Sequence, residues 1–189
     1  MAAFTAKDLV AYDAMTSKEL FSEPWETSYD VNAAAPIFED NMMFISSGYG
    51  SGSAAFKVSG NKTKRAWKNK DFQNQMTNSV LYDGVLYGFS MQHVNNPKNR
   101  SLKAVDFKTG KELWKETEVN MGALIVVDGK LVIADTSGEV ILAEPCREGF
   151  KEIAREHLLG GTNWVTPAFS NGVLYVRNNE GKIVALKLG

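Results

Sequence analysis

The chain has 189 residues, 44% hydrophobic and 23% charged, and its 21 Lys and Arg against 22 Asp and Glu give a net charge of -1. That balance excludes a disordered chain and supplies no basic stripe for phosphate neutralisation, so nucleic acid and anionic membrane are excluded as partners. The longest aliphatic run, Ala123 to Val127, is too short to insert in a bilayer, and the start "MAAFTAKDLVAYDAM" shows no basic stretch followed by an apolar one, so neither a membrane span nor a targeting signal is expected.

In chain order, "AAFTA", "DLVAYDA" and Lys18 to Glu23 read as the last three strands of a unit whose first strand is missing. Four hairpins follow. "APIFED" and "NMMFIS" meet at Asp40-Asn41, "SVLYD" and "GVLYGF" at Asp83-Gly84, "LIVVD" and "GKLVIA" at Asp128-Gly129, and "PAFS" and "NGVLYV" at Asn171-Gly172. These dipeptides accept positive φ and suit two-residue primed turns. A third strand follows turns such as "TSGE" and "NEGK", and a fourth follows the "KTG" type of turn.

The pattern recurs. Asn41, Gly84, Gly129 and Gly172 are spaced by 43, 45 and 43 residues, and Ala11, Ala55, Ala104, Leu142 and Ala185 by 44, 49, 38 and 43. Four-stranded antiparallel units of this period, each needing a neighbour to cover its faces, predict an all-β propeller. The expected domain is a single propeller over 1–189, with a blade remnant at 1–25 and blades at about 31–70, 75–117, 120–157 and 163–189. About four blades per chain suits half of an eight-bladed ring. Both ends fall in mid-blade, so closure requires Lys18 to Glu23 to return to the last blade, a second copy forming a homodimer, or further blades upstream.

One blade carries "AVDFKTGKELW", with Ala104, Asp106, Thr109, Gly110 and Trp114. Worn copies keep Ala11, Asp13 and Thr16 with Phe21 for the tryptophan, then Ala55 and Trp67, while a third has Leu142, Gly149 and Ile153. The glycine serves the turn between the third and fourth strands. The aromatic, a large flat apolar surface, is placed to dock neighbouring blades. Phe21, Trp67, Ala104, Asp106, Thr109, Gly110 and Trp114 are therefore expected to be structural. The signature resembles the pyrroloquinoline-quinone (PQQ) type propeller repeat. Longer phrases such as "PWETSYDVNAAAPIFEDNMMFISSGYGSGSA" and "NSVLYDGVLYG" are similar to the C-terminal half of bacterial propellers labelled PQQ-like or polyvinyl-alcohol-dehydrogenase-like. The resemblance implies a periplasmic or cell-surface location.

Quinoprotein dehydrogenases of that type imply a calcium-bound quinone, a carboxylate base, and a sandwich of a tryptophan and a disulfide of adjacent cysteines. The single cysteine, Cys146, offers no such pair and has no metal-ligand spacing with His93 or His157. No catalytic residue, no metal and no cofactor are expected, and the leading expectation is a non-catalytic binding or assembly scaffold. PQQ and calcium belong to an alternative, the C-terminal part of a quinoprotein alcohol dehydrogenase.

A last constellation lies nine residues before each hairpin turn residue: Asn32, Gln75, Asn120 and Asn163, all amides. These fall where the chain crosses between blades, around one mouth of the channel. With Trp25, Tyr29 and Trp164 nearby, they form a candidate site for a small polar ligand, sugar or peptide. The alternative is that the amides satisfy backbone groups in repeated turns.

Overall fold

The computed structural model describes residues 1–91 and 100–187. Among these described residues, eighteen strands form five antiparallel sheets in chain order. The first sheet has three strands, β1 (Ala2–Phe4), β2 (Asp8–Tyr12) and β3 (Glu19–Pro24). Blade I comprises β4 (Ile37–Glu39), β5 (Met42–Ser47), β6 (Gly52–Ser59) and β7 (Lys62–Asn69). Blade II comprises β8 (Val80–Tyr82), β9 (Val85–Ser90), β10 (Ser101–Asp106) and β11 (Glu112–Glu116). Blade III comprises β12 (Gly122–Val127), β13 (Lys130–Asp135), β14 (Glu139–Glu144) and β15 (Lys151–His157). The final sheet holds β16 (Ala168–Ser170), β17 (Val173–Arg177) and β18 (Ile183–Lys187). His93 lies outside the described residues, and His157 ends β15 opposite Glu139.

Each hairpin from first to second strand closes through two residues with positive φ: Asp40 and Asn41, Asp83 and Gly84, Asp128 and Gly129, Asn171 and Gly172. That is the backbone of a primed turn, whose twist matches the strands it joins. The meander then sends the second-to-third-strand turns and the inter-blade crossings to one face. The other two kinds of turn lie on the opposite face.

Four apolar clusters lie between successive sheets. Leu9, Ala11 and Phe21 of the first sheet meet Met43, Ile45 and Phe56 of blade I. Met42, Phe44 and Ala55 of blade I meet Leu86, Val105 and Phe107 of blade II. Tyr87, Leu102 and Trp114 of blade II meet Leu124, Ile133 and Ile141 of blade III. Val127, Val132 and Ala134 of blade III meet Leu174 and Val176 of the final sheet. No sheet buries both faces alone, so each blade is stabilised through its neighbours.

Two sequence expectations are corrected. Lys18 to Glu23 does not return to the last blade: β3 pairs with β2 and edges its own sheet. In blade III, Ile153 does not take the place of the aromatic, because Leu142 pairs with Ala154. The six residues 145–150 separate β14 from β15, whereas five, 107–111, separate β10 from β11, and the longer turn shifts the alignment.

Candidate functional site

The signature alanine sits opposite the aromatic across the third and fourth strands: Ala11 against Phe21, Ala55 against Trp67, Ala104 against Trp114. In all three, and at Leu142 in blade III, the register breaks immediately after this position, leaving Leu20, Ala66, Leu113 and Ile153 as extra residues. A bulge of this kind bends and twists the outer strand. Its repetition gives the residue before the signature aromatic, Leu20, Ala66 or Leu113, a role that sequence reading missed.

The aromatics reach into the next blade. Trp67 donates its indole N–H to the Phe107 carbonyl at 2.9 Å and lies so close to Gly110 that a β-carbon there would enter its ring. Trp114 donates to the Cys146 carbonyl at 2.7 Å, with Tyr87 and Phe150 rings 5.9 and 6.0 Å away. Burial pushes the Tyr87 phenol up to about 12, so it stays a donor toward the same carbonyl. The Cys146 thiol donates to Glu148 at 2.7 Å.

Asp106 and Asp13 build the turns beneath. Asp106 accepts from the Thr109 amide at 2.9 Å, the Thr109 hydroxyl at 2.7 Å and Arg147 at 2.5 Å. Asp13 repeats this with Thr16, and Ser17 takes the positive φ that Gly110 has in the full signature. Burial pushes the Asp106 carboxyl up, but the Arg147 and Thr109 hydrogen bonds outweigh it and leave the pKa lowered. A depressed folded value means stability that is complete above the unfolded carboxylate range and lost as pH falls through the lower folded value. Asp106→Asn should therefore cost about 1 kcal/mol at neutral pH, a cost that shrinks as pH falls below the ordinary carboxylate range, in paired thermal melts. A difference that stays constant with pH would contradict this assignment.

The four amides occupy the crossings, each in a different setting. Asn32 donates to the carbonyls of Thr5, Ala6 and Trp25 at 2.8, 3.2 and 3.2 Å. Asn120 reaches Asp135 at 3.3 Å and Ser137 at 3.4 Å. Gln75 and Asn163 are buried, and the side-chain oxygen of each has no hydrogen-bond partner. Among the described residues, no hydrogen bond links one of the four to another. Trp25 is buried in the first inter-blade cluster, donating to Ser47 at 2.8 Å, with the Lys68 ammonium 4.6 Å from its ring centre. Tyr29 is 82% exposed, with its ring 5.3 Å from Tyr49, and Trp164 is 55% exposed.

A second repeated position escaped the sequence reading. Ser47, Ser90 and Asp135 end the second strands of their sheets and Asn178 directly follows β17; all four are buried, and each anchors the crossing that enters its blade. Ser47 accepts from Trp25, Ser90 accepts from the Gln73 amide at 2.9 Å, Asp135 accepts from Asn120, and Asn178 donates to the Gly160 carbonyl at 3.1 Å. Serine, aspartate and asparagine share only a short polar side chain, so the residue types do not reveal the equivalence.

The family model described as outer membrane protein assembly factor BamB, of the PQQ-repeat type, matches residues 1–116, more than half of the chain. The chain belongs to this family. No curated protein matches it. Among solved structures, BamB from Moraxella catarrhalis aligns with a TM-score of 0.70 at 16% identity, covering 95% of this chain and 51% of that one. The computationally designed Ika8 protein gives 0.66 at 12% identity, covering 99% and 57%. A europium-containing methanol dehydrogenase gives 0.55 at 14%, covering 74% and 34%. At these identities the likeness establishes the propeller fold alone, and the chain spans about half the length of the first two structures.

For this PQQ-repeat propeller, the sequence holds one cysteine, so the chain has no pair of adjacent cysteines of the kind the resemblance implies around a quinone. The one cysteine is engaged with Glu148 beside a blade joint, and Trp25, Trp67 and Trp114 are built into joints. Among the described residues, no three His, Cys, Asp or Glu gather to hold a metal ion. None of their helices is long and apolar enough to cross a membrane.

Proposed function

We propose that this chain is a non-catalytic PQQ-like propeller segment that serves as a binding and assembly scaffold at the periplasmic or cell surface. The observation that carries the reading is the fate of the signature: Asp106 and Thr109 close a turn, while Trp67 and Trp114 donate across to the next blade. Side chains committed to joints are not available to a reacting substrate, and a family signature identifies architecture, with function residing in separate sites. The description of the family as an assembly factor supports the same reading.

The rival is a quinoprotein dehydrogenase part. It is tested by adding PQQ and calcium to the purified chain and following quinone absorbance and melting temperature. The scaffold reading expects no bound absorbance and no rise in Tm; tight stoichiometric binding, which raises Tm by mass action, would overturn it. A second reading, a carbohydrate or peptide binder, is favoured by one observation, the exposed Tyr29 ring set edge-on to Tyr49.

A further inference from the structure

The net charge of -1 hides a strong segregation along the chain. Residues 19–40 carry six carboxylates, Glu19, Glu23, Glu26, Asp30, Glu39 and Asp40, and no Lys or Arg. Residues 41–70 carry six cations, Lys57, Lys62, Lys64, Arg65, Lys68 and Lys70, and no Asp or Glu. The fold gathers the cations on the outer edge of blade I. Lys62, Lys64, Arg65 and Lys68 lie on β7, which pairs with β6 along one backbone edge and, among the described residues, with no strand along the other. All six cations are exposed, and among the described residues none takes part in an ion pair. Thr63 turns toward the first sheet, donating its hydroxyl to Glu23, so Lys62 and Lys64 turn the other way. Lys57 on β6 stands directly opposite Lys64.

Edge lysines can serve only to keep other strands away. Two observations set β7 apart from that use. At eight residues it is longer than the other outer strands among the described residues, β3 with six, β11 with five and β15 with seven. Its cations also lack the mixed partners of β15, where Arg155 pairs with Glu139 and Glu152 at 2.6 and 2.7 Å. Like charges directly across a strand pair repel, so Lys57 and Lys64 weaken the sheet until an anion lies over them. That anion has to be narrow. β3 borders β7 with Glu19 exposed and Glu23 touching Thr63, so a membrane surface or a duplex broad enough to cover β7 would also meet carboxylates. An extended chain with carboxylates on alternate residues fits, because side chains on one face of a strand recur every roughly 7 Å, as Lys62 and Lys64 do.

We infer that the outer edge of blade I binds an extended acidic segment of a partner protein, laid along β7 with its carboxylates on Lys57, Lys62 and Lys64. The inference rests on the scaffold reading, but its test is separate from the quinone titration, so either can fail alone. A fluorescent peptide of alternating Glu and Thr is titrated into the full chain by anisotropy while NMR follows the β7 amides, and the analogue with Gln for Glu is the control. Saturable binding with shifts in β7 is expected for the Glu peptide only, weakening as salt rises. Lys62→Gln with Lys64→Gln should weaken it roughly fivefold, whereas Lys111→Gln with Lys115→Gln, at the outer strand of blade II, should leave it unchanged. Lys64→Glu separates binding from folding. It turns the repulsion from Lys57 into an attraction, so it should melt no lower than the parent chain and still bind about as weakly as the double variant. Vesicles of phosphatidylcholine with phosphatidylglycerol should leave the β7 amides unshifted. No saturable binding, equal binding of the Gln peptide, unchanged affinity in the Lys62 and Lys64 variants, or β7 shifts with the vesicles would overturn the inference.

Discussion

Trp114→Ala is expected to lower stability by about 3–5 kcal/mol, the range for deleting a large buried aromatic from a core that closes only partly around the gap. Trp114 is 9% exposed and belongs to the cluster in which Tyr87 and Leu102 of blade II meet Leu124, Ile133 and Ile141 of blade III. Alanine removes the ring contacts with Tyr87 and Phe150 and the hydrogen bond to the Cys146 carbonyl together. Tyr87 also reaches that carbonyl, at a longer 3.4 Å, so part of the polar loss is recovered. The control is Trp164→Ala on the crossing face, where the half-exposed side chain leaves room for a change within about 0.5 kcal/mol. Denaturant melts of the two variants check the contrast, and equal losses would mean that the signature aromatic has no special place in the joint.

Gly138→Ala should be as damaging, at about 3–5 kcal/mol, for a different reason. Gly138 has φ of 93°, and a β-carbon there would overlap the Leu159 carbonyl oxygen while pressing on Asn163. The Gly138 carbonyl in turn accepts from the Leu158 and Leu159 amides at 2.9 and 3.2 Å, so the crossing from blade III cannot move aside without losing them. Gly181 supplies the matching control. It stands three residues after Asn178, as Gly138 does after Asp135, with φ of 87° and nothing within reach of a β-carbon. Gly181→Ala therefore carries only the backbone cost, about 1–2 kcal/mol. Paired melts showing the two alanine variants equally destabilised would place the whole effect in φ and none in the crowding.

Much of this architecture was legible because strand hairpins announce themselves locally. Asp83-Gly84 and Asp128-Gly129 encode positive φ in their residue types, and the spacing of those turns encodes the blade. The register of the outer strands was less legible, since it depends on where the extra residue of a bulge falls. In blade III an alanine and not an aromatic faces Leu142, so nothing in the sequence marked Ala154 over Ile153. The crossing face was hardest to read. A row of amides suggested one shared site, but Asn32 is spent on three carbonyls while Asn163 keeps an oxygen without a donor. What separates them is tertiary: which carbonyl lies within reach, and whether a cavity remains beside it. That Asp135 shares its position with Ser47, Ser90 and Asn178 showed only in the fold.

The central claim is that the repeated signature couples each blade to the next. Native-state hydrogen exchange on Trp114→Ala tests it most directly. If Trp114 joins blade II to blade III, the amides of β9 and β10 and those of β13 and β14 should lose protection together, while β5 and β6 of blade I lose much less. Loss confined to blade II, with β13 and β14 as protected as in the parent chain, would contradict the account.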